Sequence, residues 1–293
     1  GELSEFSSSE LGAKVIAGLF NRIDIDINEV EEVIMGNVLS AGIGQAPARQ
    51  AALFSGLPNK VECLTINKMC GSGLKAIMLG DNIIKSNSAG LIIAGGMESM
   101  SNAPLLLTKN INRIGHQKMV DSMIHDGLWD AYNNIHMGSC AEILAEENIY
   151  TREDQDAFAT ESYRRSLKAI NEGLFDNEIT PIEIPQRKGD AVIVKEDEEP
   201  GRGRPEKISK LKPAFQKEGT ITAANASSIN DGAAALVVAS EDEANLLNIK
   251  PICRIVAQAS AAHEPKYFTT APSKAMQKVL NKAGMSIDQI ALF

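Results

Sequence analysis

Apolar residues at Leu11, Val15, Ile16, Leu19 and Phe20 recur at helical spacing, which predicts an amphipathic helix over residues 11–22. Val33, Ile34 and Met35 follow as a short apolar strand. Residues 47–54 read as another helix, 61–67 as a strand and 74–85 as a helix; 91–94 form a fully apolar strand. Helix and strand patterns that alternate in this way, with an apolar inner strand, predict an α/β domain whose sheet is covered by helices on both faces.

From about residue 102 to 219 the chain turns polar. Its clearest element is a long helix with Thr151 as N-cap, Asp154 three residues on, and Gly173 as the residue past its end. This region reads as a mostly helical, irregular excursion from the α/β domain. Residues 233–240 (AAALVVAS) return to a buried strand.

The end of the chain resembles its beginning. The segment from Lys14 to Arg22 aligns with Lys274 to Lys282, and the same offset of 260 residues (274 − 14) pairs Ile27 with Ile287 and Val33 with Phe293. Two amphipathic helices can match by chance, but here the register holds through the turn as well. The repeat predicts a protein of two similar halves, with a strand at 252–257 before the second helix. In this reading the first strand of the first half and most of the second half lie outside the chain, the latter amounting to roughly a hundred residues by the size of the first half.

Composition narrows the function. Lys plus Arg is 29 and Asp plus Glu is 38, a net charge of −9, which disfavours nucleic acid as a partner. No apolar run reaches the roughly 20 residues of a membrane helix, and no signal peptide is visible at the start. The four cysteines, Cys63, Cys70, Cys140 and Cys253, are widely and irregularly spaced, and the four histidines form no pair at ligand spacing. That predicts no bound metal, no disulfide framework, and a reducing, cytoplasmic compartment.

One cysteine stands apart. In Asn67-Lys68-Met69-Cys70-Gly71-Ser72-Gly73-Leu74-Lys75-Ala76 a strand runs into a tight turn and a helix begins at about Ser72. Gly71 and Gly73 are expected to let the backbone turn sharply. Cys70 then lies at a helix N-terminus, where unpaired N–H groups and the helix dipole favour a thiolate and can bind an oxyanion on a thioester carbonyl. Cys63 and Cys253, inside strand patterns, read as structural.

This segment resembles the nucleophile motif of the thiolases almost residue for residue. Gly95-Gly96-Met97-Glu98-Ser99-Met100-Ser101, His136-Met137-Gly138, Asn225-Ala226-Ser227 and Asn230-Asp231-Gly232-Ala233-Ala234 match the same family in the same order. The resemblance covers essentially the whole chain. It implies a thiolase-like α/β fold, two pseudo-repeated βαβαβαββ halves plus a helical loop domain. Residues 1–101 would open the N-terminal thiolase domain, 102–219 would be the loop domain, 220–250 the return to the N-terminal domain, and 251–293 the start of the C-terminal one.

The resemblance implies an acyltransferase that condenses two acetyl-CoA to acetoacetyl-CoA, or cleaves the product with CoA, through an acyl group on Cys70. Coenzyme A would be substrate; no cofactor is implied. His136 and Met137 would line a short-chain acyl pocket and touch the pantetheine arm, and Ser227 would hydrogen-bond that arm. Cys140 is a looser match and reads as structural. Arg202, Arg204, Lys207, Lys210 and Lys212 form a basic run suited to CoA phosphates or, equally, a solvated linker. Family members are homodimers or homotetramers.

There are departures. The family's G-H-P, N-E-A-F and C-x-G-G motifs, which carry its histidine, asparagine and second cysteine, do not occur in these 293 residues. The stretch alone is therefore expected to turn over weakly at best. Alternatives are a thiolase of longer chain preference, a β-ketoacyl synthase, which usually has a T-A-C-S-S-like turn, and a non-catalytic thiolase-like protein.

Overall fold

The computed structural model describes all residues except 108 and 110–113. The strands are β1 (Glu32–Gly36), β2 (Glu62–Ile66), β3 (Leu91–Ser99), β4 (Leu105–Leu107), β5 (Met119–Asp121), β6 (Trp129–Asp130), β7 (Ile135–His136), β8 (Ile182–Ile184), β9 (Val192–Val194) and β10 (Asp231–Ala239). The α-helices are α1 (Ser8–Phe20), α2 (Pro47–Phe54), α3 (Ser72–Lys85), α4 (Met137–Glu147), α5 (Arg152–Asn171), α6 (Glu198–Arg202), α7 (Glu241–Leu246) and α8 (Ala271–Ala283). They fall into two compact units.

The first unit comprises Gly1–Gly127, Ile179–Lys195 and Ile229–Cys253. Its sheet has the order β10-β3-β1-β2. β1 is parallel to both β2 and β3, and β10 returns antiparallel along β3. Side chains alternate across the sheet. Val33 and Met35 of β1 and Leu91, Ile93 and Met97 of β3 bury against Ile16 and Leu19 of α1 and Ala48, Ala51 and Ala52 of α2. The opposite face takes α3, where a Cβ on Gly80 would stand 3.6 Å from Ile92. Helices therefore cover both faces, as the apolar runs predict. Ser7 and Glu10 close a capping box at the start of α1.

The second unit comprises Leu128–Glu178, Glu196–Ser228 and Arg254–Phe293. Thr151 and Asp154 cap α5 reciprocally, and past its end Gly173 adopts φ 63, the left-handed conformation expected there. At the far end of the chain, the 3₁₀ turn Ile287–Gln289 follows α8 as Ile27–Glu29 follows α1, at the same offset of 260 residues (287 − 27).

The strand expected at 252–257 does not form. A strand pattern becomes a strand only with a ladder partner, and no described residue pairs with this segment; Ile252 is fully exposed and Val256 mostly so. Cys253 is accordingly exposed rather than held in a strand. Nor does a strand begin at Phe293. The repeat is thus expressed in helix and turn only, and α8 has no buried residue.

Candidate active site

Cys70 is exposed and immediately precedes Gly71, the N-cap of α3. No side chain caps this helix; the Ser72 N–H is taken by the Met69 carbonyl at 2.9 Å, and the N–H groups that follow in the first turn have no partner within the helix. The turn is tight because three polar links close it. Asn67 Oδ1 accepts the Met69 N–H at 2.9 Å. The Ser72 hydroxyl accepts the Lys68 N–H at 2.8 Å and donates to the Met69 carbonyl at 2.6 Å.

The sharp reversal falls on Met69, at φ 49, and not on a glycine. Gly71 has φ −93 and Gly73 is helical. A bulky residue in the left-handed region carries strain of order 1 kcal/mol, and the Asn67 and Ser72 bonds hold it there. A Cβ on Gly71 or Gly73 would meet only ordinary contacts, at 3.5 and 3.7 Å; the close packing lies at two glycines of the sheet. A Cβ on Gly36 would stand 2.6 Å from the Ser72 carbonyl carbon, and one on Gly96 would stand 3.3 Å from the Gly73 Cα. The start of α3 is thereby seated directly on the ends of β1 and β3. An Asn two residues before a turn residue is a recognisable Asx-turn signal; nothing in the sequence marks Met69 as its strained member.

Glu98, near the end of β3, is a half-buried carboxylate that pattern reading passes over. Burial pushes its pKa up, opposed by hydrogen bonds from the Val38 and Leu39 amides. Cys63, half-buried on β2, also has its thiol pushed up, chiefly by burial.

In the second unit, β6 pairs with β7 and places His136 at the N-cap of α4. His136 Nδ1 accepts the Gly138 N–H at 3.0 Å, so a neutral ring carries its proton on Nε2. The ring stacks on Phe215 at 4.9 Å and meets Trp129 edge-on at 6.4 Å. Met137 begins α4 beside it and is half-buried. Phe215 sits so close to Gly138 that a Cβ there would stand 2.3 Å from its ring. Cys140 is buried, and burial followed by the charge of Asp130 raises its thiol pKa.

Ser227 is exposed on the segment after Asn225. Asn225 fixes that segment: its Oδ1 accepts from the Thr222 amide at 2.7 Å and its Nδ2 donates to Asp156 at 2.9 Å. Asp156 is paired with Arg152 at 2.7 Å. The basic run divides. Arg202, Arg204 and Lys207 line a cavity of about 250 Å³ with Tyr163, Ile208, Leu211, Ala223 and Ala224. Lys210 and Lys212 do not line it. Among the described residues, no three His, Cys, Asp or Glu side chains gather as a metal set. No helix among them is long and apolar enough to cross a membrane.

A parallel-centred α/β sheet with a cysteine at the strand-to-helix turn defines the class. The chain belongs to the thiolase family: the thiolase N-terminal domain model matches residues 1–242. The acetyl-CoA acetyltransferase of Pseudomonas aeruginosa is 49% identical over 295 residues, covering 100% of this chain and 75% of that protein. That of Yarrowia lipolytica is 47% identical, covering 100% of this chain and 73% of its own length. Among solved structures, the Acat5 thiolase of Ascaris suum in complex with coenzyme A superposes with a TM-score of 0.93 at 42% identity, over 99% of this chain and 75% of that one.

Proposed function

We propose that this protein is an acetyl-CoA acetyltransferase, joining two acetyl-CoA into acetoacetyl-CoA or running the reverse thiolysis, with Cys70 as the residue acylated. The observation that carries this reading is the placement of Cys70, exposed on a strained turn just before an uncapped helix. The Cys70 thiolate attacks the thioester carbonyl, and the oxyanion that forms is held by backbone N–H groups. The C–S bond to coenzyme A then breaks, CoA leaves as a thiolate that takes up a proton, and the acetyl group stays on Cys70. In the second half-reaction the α-carbon of another acetyl-CoA loses a proton, attacks the acetyl-cysteine carbonyl and returns the Cys70 thiolate.

His136, Met137 and Ser227 are proposed to receive the acyl and pantetheine portions. A stacked, Nε2-protonated imidazole offers a donor on a rigid support, and Phe215 supplies an apolar surface beside it. The cavity lined by Arg202, Arg204 and Lys207 suits the phosphates of CoA. The names of the relatives support acetyl over longer acyl groups. A homodimer or homotetramer fits the edge position of β2, which has one ladder partner among the described residues, and the exposed Leu64 on it. A cytoplasmic site fits four unpaired cysteines, although relatives include mitochondrial proteins.

The test is to incubate the protein with acetyl-labelled acetyl-CoA, digest it and locate the label. Label on the Cys70 peptide, and its loss in Cys70→Ala, is the expected result. Label on Cys63, Cys140 or Cys253 overturns the assignment.

A further inference from the structure

Glu98 lies on β3 and Cys70 lies beyond β2, yet a series of hydrogen bonds runs from Glu98 to Met69, the residue before Cys70. Glu98 Oε2 accepts the Val38 N–H at 2.8 Å, and Oε1 accepts the Leu39 N–H at 3.1 Å and the Asn37 side-chain amide at 2.9 Å. Asn37 also donates to the Met97 carbonyl at 3.0 Å, and its main-chain N–H donates to the Ile66 carbonyl at 3.0 Å. The 37–39 segment is thus pinned from the β3 side by one carboxylate. From the other side, the Val38 carbonyl accepts from Asn67 Nδ2 at 3.3 Å. Asn67 Oδ1 in turn accepts the N–H of Met69, the left-handed residue that aims Cys70.

We propose that Glu98 is a positioning residue for Cys70, acting through the 37–39 segment and Asn67 on the strained Met69 turn. The proposal rests on Cys70 being the acylated residue. It explains why a carboxylate with no ion-pair partner among the described residues is held half-buried here. Three N–H donors converge on its two oxygens, and only a group with acceptors alone satisfies all three. A glutamine amide would turn its NH₂ toward at least one of those donors. The cost of desolvating the carboxylate is visible in its raised pKa, and the ordered segment is what that cost supports.

The readout is alkylation of Cys70 by iodoacetamide, followed on its tryptic peptide at fixed pH. This reaction needs no CoA, so its outcome is independent of the acetyl-labelling result. Glu98→Gln is expected to slow it by about tenfold, in line with the penalty for misplacing a reacting group by a fraction of an ångström. Asn67→Asp keeps the acceptor for Met69 but loses the donor to Val38, and is expected to slow alkylation similarly.

The double variant is expected to be no slower than the worse single one, because both cut the same series. Ile16→Val, in the core under α1, serves as a control that lowers the thermal midpoint without slowing alkylation. Where Glu98→Gln does not fold, Glu98→Asp, which draws the carboxylate back by one methylene, takes its place with the same expectation. Unchanged alkylation in the folded Glu98 variant, or multiplicative losses in the double variant, overturns the proposal.

Discussion

The Ser72 hydroxyl accepts a hydrogen bond from the Lys68 amide at 2.8 Å, across the three residues, Met69 to Gly71, that carry the nucleophile. Ser72 is 4% exposed, so no water stands ready to replace it. Removing the hydroxyl takes away the Lys68 N–H's acceptor and one of two hydrogen bonds to the Met69 carbonyl, which keeps the Ser72 N–H at 2.9 Å. Ser72→Ala is expected to cost about 1–3 kcal/mol, read as a lower urea midpoint, and to slow Cys70 alkylation. A variant that is destabilised yet alkylated at the parent rate would separate this hydroxyl from the aim of the thiol.

Close packing under α3 gives a second test. Gly36→Ala places a Cβ 2.6 Å from the Ser72 carbonyl carbon, a backbone atom that cannot swing away. The expected loss is about 3 kcal/mol, at the upper end of ordinary overpacking. Gly232, on β10, has no atom within 4 Å of an added Cβ, and Gly232→Ala is expected to change stability by no more than about 0.5 kcal/mol. Urea denaturation of the two variants checks the contrast.

The elements that sequence patterns revealed are those whose partners are local or buried. The apolar periods of α1, β1 and β3 were legible because each buries a face in the same core. Thr151 and Asp154 marked the start of α5 because capping chemistry is written within four residues. Residues 252–257 carry a strand pattern as good as that of β1, but a strand also needs a neighbour, and pattern says nothing of neighbours. At the site, Cys70 was legible from Gly71 and Gly73, though the role given to them was misplaced: the strain falls on Met69, and the close sheet contact is made possible by Gly36 and Gly96 on the strands. Glu98 and Phe215 act through contacts about sixty and eighty residues away in sequence, beyond any local signal.

Glu32 and Glu62 are register partners on β1 and β2. Burial, with the charge of Glu62 second, raises the pKa of Glu32. A carboxylate raised in the folded state contributes stability that is fully present below its unfolded pKa and is lost as pH rises through the folded value. The loss therefore falls between the ordinary carboxylate pKa and the raised folded value. Glu62→Gln removes the like charge and is expected to stabilise the protein at neutral pH by about 0.5 kcal/mol, the size of one cross-strand pair. At about pH 3, below the ordinary glutamate pKa of about 4.3, the variant and parent should coincide. Urea midpoints at the two pH values test this; an equal gain at both would show that charge is not the cause.

The last prediction concerns the stack beside His136. Gly138 lies under the Phe215 ring, and an added Cβ would come within 2.3 Å of its Cε2 and Cζ. The ring cannot move away freely, because it also stacks on His136 at 4.9 Å. Gly138→Ala must displace Phe215, and the expected cost is about 2 kcal/mol. Alanine is otherwise the better residue within a helix, by about 1 kcal/mol over glycine, and Gly138 is inside α4. Removing the ring should therefore reverse the sign. In a Phe215→Ala background, Gly138→Ala is expected to be neutral or stabilising, giving a coupling of at least about 2 kcal/mol in a double-mutant cycle. If His136 and Met137 receive the acyl-pantetheine portion as proposed, Gly138→Ala also raises KM for acetyl-CoA more than it lowers kcat, since it disturbs the binding surface and leaves the Cys70 turn intact. A stability loss with unchanged KM would confine the stack to folding and remove it from the substrate surface.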